Sequence, residues 1–431
     1  MSEIDGWVTS ALPYLLEQMK SGGTPDTSRS DFYGGDIPFV SIEDMTACGK
    51  SLKKTKKKIT DAGLKNSNCW VVPVGSILYS IYATIGMPRI NLIPVATNQA
   101  ILALLHKKGK IDNEYLFYWL ESIRPRVLNL ASQTTQSNLN ATTVKGFAVA
   151  HPTALNEQTK IAEILSTVDQ AIEQTEALIA KQQRIKTGLM QDLLTRGIDE
   201  HGQLRTEQTH AFKDSPLGRI PVEWEVAQLG EVGDISAGVT LGKSYEGPDT
   251  VELPYLRVAN VQDGYLDLSE MKSIRVPNNQ IEKYVLKVGD VLMNEGGDFD
   301  KLGRGAVWRG QVSVCLHQNH VFKVRPHTEK LASDFLAAVS ASPYGKSFFM
   351  MASKQSTNLA SINSTQLKAF PIPLPDYQEQ IRIQTQFNRL AEVLNGSAAE
   401  LKKQRALKTA LMQDLLTGRK RVTDLLEPTA A

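Results

Sequence analysis

Leu189-Met190-Gln191-Asp192-Leu193-Leu194-Thr195 reads LMQDLLT, and the same string returns at Leu411–Thr417, 222 positions further on. The offset holds upstream without a gap. Glu157-Gln158 matches Glu379-Gln380, Lys181-Gln182 matches Lys403-Gln404, and Lys186-Thr187 matches Lys408-Thr409. A self-match at half the chain length marks a tandem duplication, which predicts a pseudo-two-fold object. From Glu157 to Thr195 there is no proline, and the only glycine is Gly188. Apolar or small residues recur at Ile161, Leu165, Val168, Ile172, Thr175, Ile179, Leu189 and Leu193. The second copy has Ile383, Phe387, Leu390, Leu394, Ser397, Leu401, Leu411 and Leu415. Steps of three and four make a seam of period near 3.5. Gly197 and Gly418 stand where a helix C-cap is expected. Each helix then has about 38 residues and a length of roughly 57 Å. A core helix of one compact domain is the plainer alternative. The length and the seam favour two helices packed on each other along their length.

Before each helix lies a strand-rich stretch. Residues 37–42, 71–81 and 99–105 are β-rich runs in the first, and 253–258, 286–293 and 319–324 are their counterparts. Glycine and proline punctuate both, as in an irregular mixed α/β domain. Trp7 and Trp224 mark the two starts; Phe147 and Phe370, each followed five residues later by Pro152 or Pro375, mark the two ends. Residues 198–220 are polar, carry no apolar period and read as a connector. The expected fold is therefore α+β: two mixed α/β domains separated by two long antiparallel helices, coiled-coil-like and related by duplication. The expected division is 1–155 first domain, 156–197 first helix, 198–220 linker, 221–376 second domain, 377–418 second helix and 419–431 tail. The helices repeat closely while the domains diverge. A molecule that holds two different readers on one frame has this pattern.

Composition narrows the class. The net charge of +2 selects no partner, so a basic surface must be local. Cys48, Cys69 and Cys315 are scattered, which fits a reduced compartment and no disulfide framework. No Cys/His cluster has metal-ligand spacing. The start MSEIDGWVTS has no signal-peptide pattern, and no apolar run reaches the roughly 20 residues of a membrane span. The expectation is a soluble, cytoplasmic protein with no membrane partner.

These features resemble the specificity subunits of type I restriction-modification systems over essentially the whole chain. Besides the LMQDLLT helix ends, the resemblance rests on Ser21-Gly22-Gly23-Thr24-Pro25 and on Asp214-Ser215-Pro216-Leu217-Gly218 leading through Ile220-Pro221 to Trp224. It rests also on Lys287-Val288-Gly289-Asp290-Val291-Leu292 and on Pro373-Leu374-Pro375 entering Glu379-Gln380. The resemblance implies that each domain is a target recognition domain reading one half of a split, asymmetric double-stranded DNA site. It implies that the helices set the spacer and dock two modification (methyltransferase) subunits, with restriction/motor subunits joining through the complex. It also implies no catalysis and no cofactor in this chain, with S-adenosylmethionine, ATP and Mg used by the other subunits.

DNA-contact candidates follow from side-chain chemistry. Lys53, Lys54, Lys56, Lys57 and Lys58 form the densest basic stretch, suited to phosphate contact. A solvated loop is the plainer explanation. Base edges are read by Asn, Gln and Arg on loops. The first domain offers Tyr82, Thr84 and Arg89 in the 80–89 loop and Gln133 and Gln136 in the 133–138 loop. The second offers Asn294, Lys301 and Arg304 in the 294–304 loop, Gln318, and Lys354, Gln355 and Asn358. An ordinary structural turn explains any one of these loops more readily than base reading does. His317 and His320 flank Gln318-Asn319 and fit structural roles better than contact roles.

The rivals are a self-contained DNA methyltransferase or nuclease, and a coiled-coil scaffold without DNA. No Asn/Asp-Pro-Pro-aromatic tetrapeptide occurs, and Gly303-Arg304-Gly305 is a lone GxG. Asp298-Phe299-Asp300-Lys301 has nuclease residue types at unusual spacing. None of the seven histidines sits in a nucleophile motif.

Overall fold

The structure, a computed structural model, describes residues 5–132, 139–242, 245–297, 302–303, 305–355 and 360–426. The two expected helices are present as Leu155–Thr195 and Tyr377–Leu415, of 41 and 39 residues. Both end as the sequence predicts. Gly197 and Gly418 take φ of +64° and +70°, the left-handed turn that closes a helix. The chain forms two compact units, Met1–Ala177 with Ala399–Ala431, and Leu178–Ala398. Each unit contains one globular part and half of each helix.

In the first unit Trp7–Ala11 pairs antiparallel with Ala148–Pro152, so the start of the domain meets its end where the helix begins. A five-stranded sheet runs in the order Leu16–Ser21, Ile101–His106, Ile77–Ser80, Pro88–Asn91, Ser51–Leu52. A second, four-stranded sheet joins Lys57–Ile59, Tyr33–Val40, Val95–Thr97 and Val71–Val72. The β-rich run 71–81 is therefore two strands in two sheets. Pro73 has no N–H to donate to a ladder, and Gly75 turns the chain at φ +81°.

The second unit repeats this order. Glu225–Gln228 pairs with Pro371–Leu374. Gly233–Ser236, Val321–Pro326, Val291–Asn294 and Gly305–Val307 form the first sheet, and Lys272–Pro277, Thr250–Leu256 and Leu316–His317 the second. In both units the second sheet contains one parallel pair, Phe39 opposite Ala96 and Tyr255 opposite Leu316. The motif Lys287–Leu292 makes the same turn as 73–77. Gly289 has φ +94°, and the buried Asp290 accepts from the Lys287 N–H at 2.7 Å and grips Arg325 through two bonds of 2.7 and 2.8 Å.

The strand-dominated reading of the domains misses their helices. In the first unit Asn113–Ser132 buries Tyr115 through Leu120 against the first sheet and the helix residues Ile161 and Leu165. In the second unit the corresponding stretch is two helices, Ser333–Ala341 and Pro343–Ala352. Ser342 caps the restart by accepting from Gly345 N–H, and Pro343 fits the first turn. Mixed apolar runs of this length do not separate strand from helix by pattern alone.

The seam residues are buried toward the helix ends. Ile161, Leu165 and Leu415 join the core of the first unit, with Leu411 packed against it. Leu193 and Ile383 join that of the second, with Leu189 and Phe387 against it. Val168, Ile172, Leu390 and Leu394 are half-buried. Within the first unit the helices run antiparallel: Lys408 meets Asp169 at 2.8 Å, and Arg405 meets Glu176 at 2.6 Å. Lys408 also bonds Glu121 at 2.7 Å, which ties the domain to the seam. Burial alone would lower the Lys408 pKa, but the two carboxylates hold it above its ordinary value.

Residues 198–220 are not a bare connector. They contain a bridge between Ile198 and Leu204, a hairpin of Phe212–Ser215 with Gly218–Pro221, and the fully buried Ile220. Arg205 from this segment is buried against Glu379.

Candidate nucleic-acid interface

The repeated Glu-Gln dipeptides explain how each domain is held on its helix. Gln158 donates to Pro152 O at 2.7 Å and accepts from the Asp112 N–H at 2.7 Å. Gln380 donates to Pro375 O at 3.0 Å and Lys330 O at 2.8 Å, and accepts from Ala332 N–H at 2.8 Å. The neighbouring glutamates are nearly sealed from solvent. Glu157 takes both ends of the Arg421 guanidinium at 2.6 and 2.7 Å; Glu379 takes Arg205, the indole N–H of Trp224 at 3.2 Å and the Ile198 N–H at 3.0 Å. Gly197 lies so close to this pair that a Cβ there would stand 2.0 Å from Glu379 Oε1 and 2.4 Å from the Trp224 ring.

With each domain so anchored, its loops can be located. The glycines of the Ser21–Pro25 motif let one backbone lie directly on another. A Cβ on Gly22 would sit 1.7 Å from Thr97 O, and one on Gly238 would sit 1.9 Å from His317 O. These contacts fix the turns that carry Asn98-Gln99 and Gln318-Asn319. In the first unit the buried Asp44 caps the helix Ile42–Ala47 and accepts the Lys56 N–H at 2.9 Å. It thereby fastens the lysine loop to that turn. Lys53, Lys54, Lys56, Lys57 and Lys58 are all exposed, with Lys56 paired to Glu43. Tyr82 is exposed on the turn between Ile77–Ser80 and Pro88–Asn91, where Ala83 takes φ +58° and the Ser80 hydroxyl holds Thr84 O. Leu139 N–H bonds Ile81 O at 3.0 Å.

Two base-reading candidates make structural hydrogen bonds. The half-buried Arg89 guanidinium donates through Nε to Met45 O at 2.9 Å and through Nη1 to Pro88 O at 2.8 Å. Asn294 is fully buried and donates to Val261 O at 3.1 Å. Gln133, Gln136, Lys301, Arg304 and Asn358 lie outside the described residues, as do Asp298, Phe299 and Asp300. Gln355 is placed in the short strand Lys354–Gln355 without a described side chain.

In the second unit Gln318 and Lys354 line one cleft of about 620 Å³ together with Gly296-Gly297, Arg257 and His320. One wall is the turn Val258–Asn260, where Asn260 accepts from the Arg257 N–H as Asp44 does from Ser41 in the first unit. His320 faces Glu295 across 2.6 Å. Glu295, which falls in the 294–304 candidate loop, and Arg257, which no sequence motif singles out, line the same cleft. His317 is structural, as expected. It is buried, its Nδ1 lies 2.7 Å from Val321 O, and burial pushes it down to about 4.

Fold and site define a class: a duplicated chain with two loop-bearing α/β domains and two long helices. The type I restriction modification DNA specificity domain matches twice, over residues 4–182 and 221–403, and the chain belongs to that family. It is similar to two specificity subunits of type I restriction enzymes from Methanocaldococcus jannaschii. With MjaVIII it is 30% identical over 334 residues, 74% of this chain and 73% of that one. With MjaIX it is 26% identical over 252 residues, 58% of this chain and 57% of that one. The first two curated relatives are matched over only 48% and 57% of their length. The fold is similar to that of a type I restriction-modification system S subunit from M. genitalium, with TM-score 0.55, 15% identity and coverage of 95% and 96% of the two chains.

Proposed function

We propose that this chain is the DNA-reading subunit of a type I restriction-modification assembly. Each domain recognises one half of a bipartite, asymmetric duplex site. The helix pair sets the distance between half-sites and offers similar docking surfaces to two methyltransferase subunits, through which restriction/motor subunits join. The chain performs no chemistry; S-adenosylmethionine, ATP and Mg serve the other subunits. One observation carries this reading. Both domains are pinned to the helices by the same Glu-Gln device, while their outward loops differ in length and residue type. Pinned frames with divergent loops suit two readers of unlike sequence. The exposed lysine stretch of the first domain supplies phosphate contact.

Selection from a randomised duplex library by the purified chain tests this. The expected product is a consensus of two unlike half-sites at constant spacing. A scaffold would enrich nothing. Incubation of the chain alone with labelled S-adenosylmethionine and duplex DNA should leave the DNA unlabelled; label in the DNA would establish a self-contained methyltransferase.

A further inference from the structure

We propose, resting on the DNA-reading role above, that the cleft beside Gly296-Gly297 is the base-edge reader of the second domain. Gln318 and His320 are its specificity-determining residues, and Glu295 positions His320.

The cleft is built rather than incidental. Glu295 ties three segments together: its N–H bonds His320 O at 3.0 Å, its carbonyl accepts from Ile362 N–H at 2.8 Å, and its carboxylate faces His320 Nδ1 at 2.6 Å. Gly296-Gly297 pairs antiparallel with Ala360–Ser361, which pairs with Lys354–Gln355. Gly296 must be glycine here, because a Cβ would stand 2.5 Å from Ala360 O. Loop side chains held by a rigid frame are pre-organised to read.

The side chains facing the cleft have unspent capacity. Among the described residues the Gln318 amide has no hydrogen-bond partner, and neither has His320 Nε2. A 2.6 Å contact with a carboxylate requires the proton on His320 Nδ1, so in the neutral ring Nε2 is an acceptor. Gln318 presents the adjacent donor and acceptor that match adenine N6 and N7 in the major groove. His320 Nε2 matches an exocyclic amino group of adenine or cytosine. Lys354, exposed on the opposite wall, suits the phosphate that flanks such a base.

The cleft also has a structural counterpart in the first domain. Its wall at Val258–Asn260 is the counterpart of the Ser41–Asp44 turn, onto which the lysine loop of the first domain is bonded.

The test is library selection with the full chain, comparing wild type with Gln318→Ala, Gln318→Glu, His320→Ala and Glu295→Gln. Gln318→Ala should lower preference for one adenine in one half-site by roughly ten- to a hundredfold, leaving the other half-site and the affinity for scrambled duplex unchanged. Gln318→Glu, an acceptor-only side chain, should move that preference toward cytosine. His320→Ala and Glu295→Gln should relax the same single neighbouring position with unmoved melting curves, a pattern a structural role would not produce. A wild-type bipartite consensus that all four variants reproduce overturns this assignment while leaving DNA reading intact. A wild type that selects no sequence overturns the proposed function itself.

Discussion

Glu379 shows how a single residue can bear more than its place in a repeat suggests. Its carboxylate is 1% exposed as a residue and is neutralised by Arg205, itself 8% exposed, with Trp224 and the Ile198 N–H filling the remaining acceptor positions. Removing one partner of a buried pair leaves the other charge stranded, which costs about 3–5 kcal/mol. Arg205→Ala should therefore lower stability by about that amount in urea melts. Arg421→Ala should cost less, because Arg421 is partly exposed and water can replace it at the rim.

His317 makes a second residue-scale prediction. Its folded pKa of about 4 lies below the ordinary 6.5, so between these values the unfolded chain takes up the proton and the folded chain does not. Its contribution is complete above pH 6.5 and is lost as pH falls toward 4, by up to about 3 kcal/mol. His317→Asn should flatten the dependence of the melting midpoint on pH in that window. The repeated Asp192 and Asp414 have a local role: Asp192 pairs with Arg196 at 3.6 Å, and Asp414 with Arg419 at 3.4 Å and Lys420 at 3.6 Å, where the helices end.

At the scale of elements, the lysine loop and the long helices differ in how pattern relates to role. The five lysines are exposed, with Lys56 paired to Glu43 and Lys57 and Lys58 in the strand Lys57–Ile59, and the Lys56 N–H bond to Asp44 holds the stretch in one place. Changing Lys53, Lys54, Lys56, Lys57 and Lys58 to Ala should weaken binding to every duplex alike. The log–log salt slope should become shallower by roughly 2 to 4, since each neutralised phosphate adds about 0.9. A filter-binding titration with an unchanged slope would remove the loop from the interface. The helices carry a period that continues through polar residues: Gln182, Lys186, Gln404 and Lys408 stand at seam spacing. Lys408 is matched by Asp169 and Glu121. The position 222 residues after Asp169 is Ala391, so Lys186 has no such carboxylate at the corresponding site. The repeat is thus a shared frame with a domain-specific lock in the first unit.

At the scale of the molecule, both units are divided within the helices, at 177/178 and 398/399. Each half-helix belongs to the core of the domain it supports. A ruler built this way changes length only if both helices change together. Inserting four residues after Thr175 and four after Ser397 lengthens each by roughly 6 Å. Library selection should then return the same two half-sites with a spacer longer by about two base pairs at 3.4 Å per step. Altered half-sites would show that the helices shape the readers rather than the gap.

The sequence by itself determined the duplication, the two long helices and their caps, the paired strand-rich domains and the exposed lysine loop. Those properties are periodic or local: a heptad, a glycine at positive φ and a run of charge are all written in neighbouring residues. Only the tertiary structure decided which polar residues bond the backbone and which line a cleft. Arg89 Nε and Asn294 Nδ2 have the right chemistry but bond Met45 O and Val261 O, backbone carbonyls far away in sequence. Gln318, His320 and Glu295 meet only because strands from 291, 316 and 360 converge. Hydrogen-bond satisfaction depends on partners brought together across the chain, and no spacing along the chain records it.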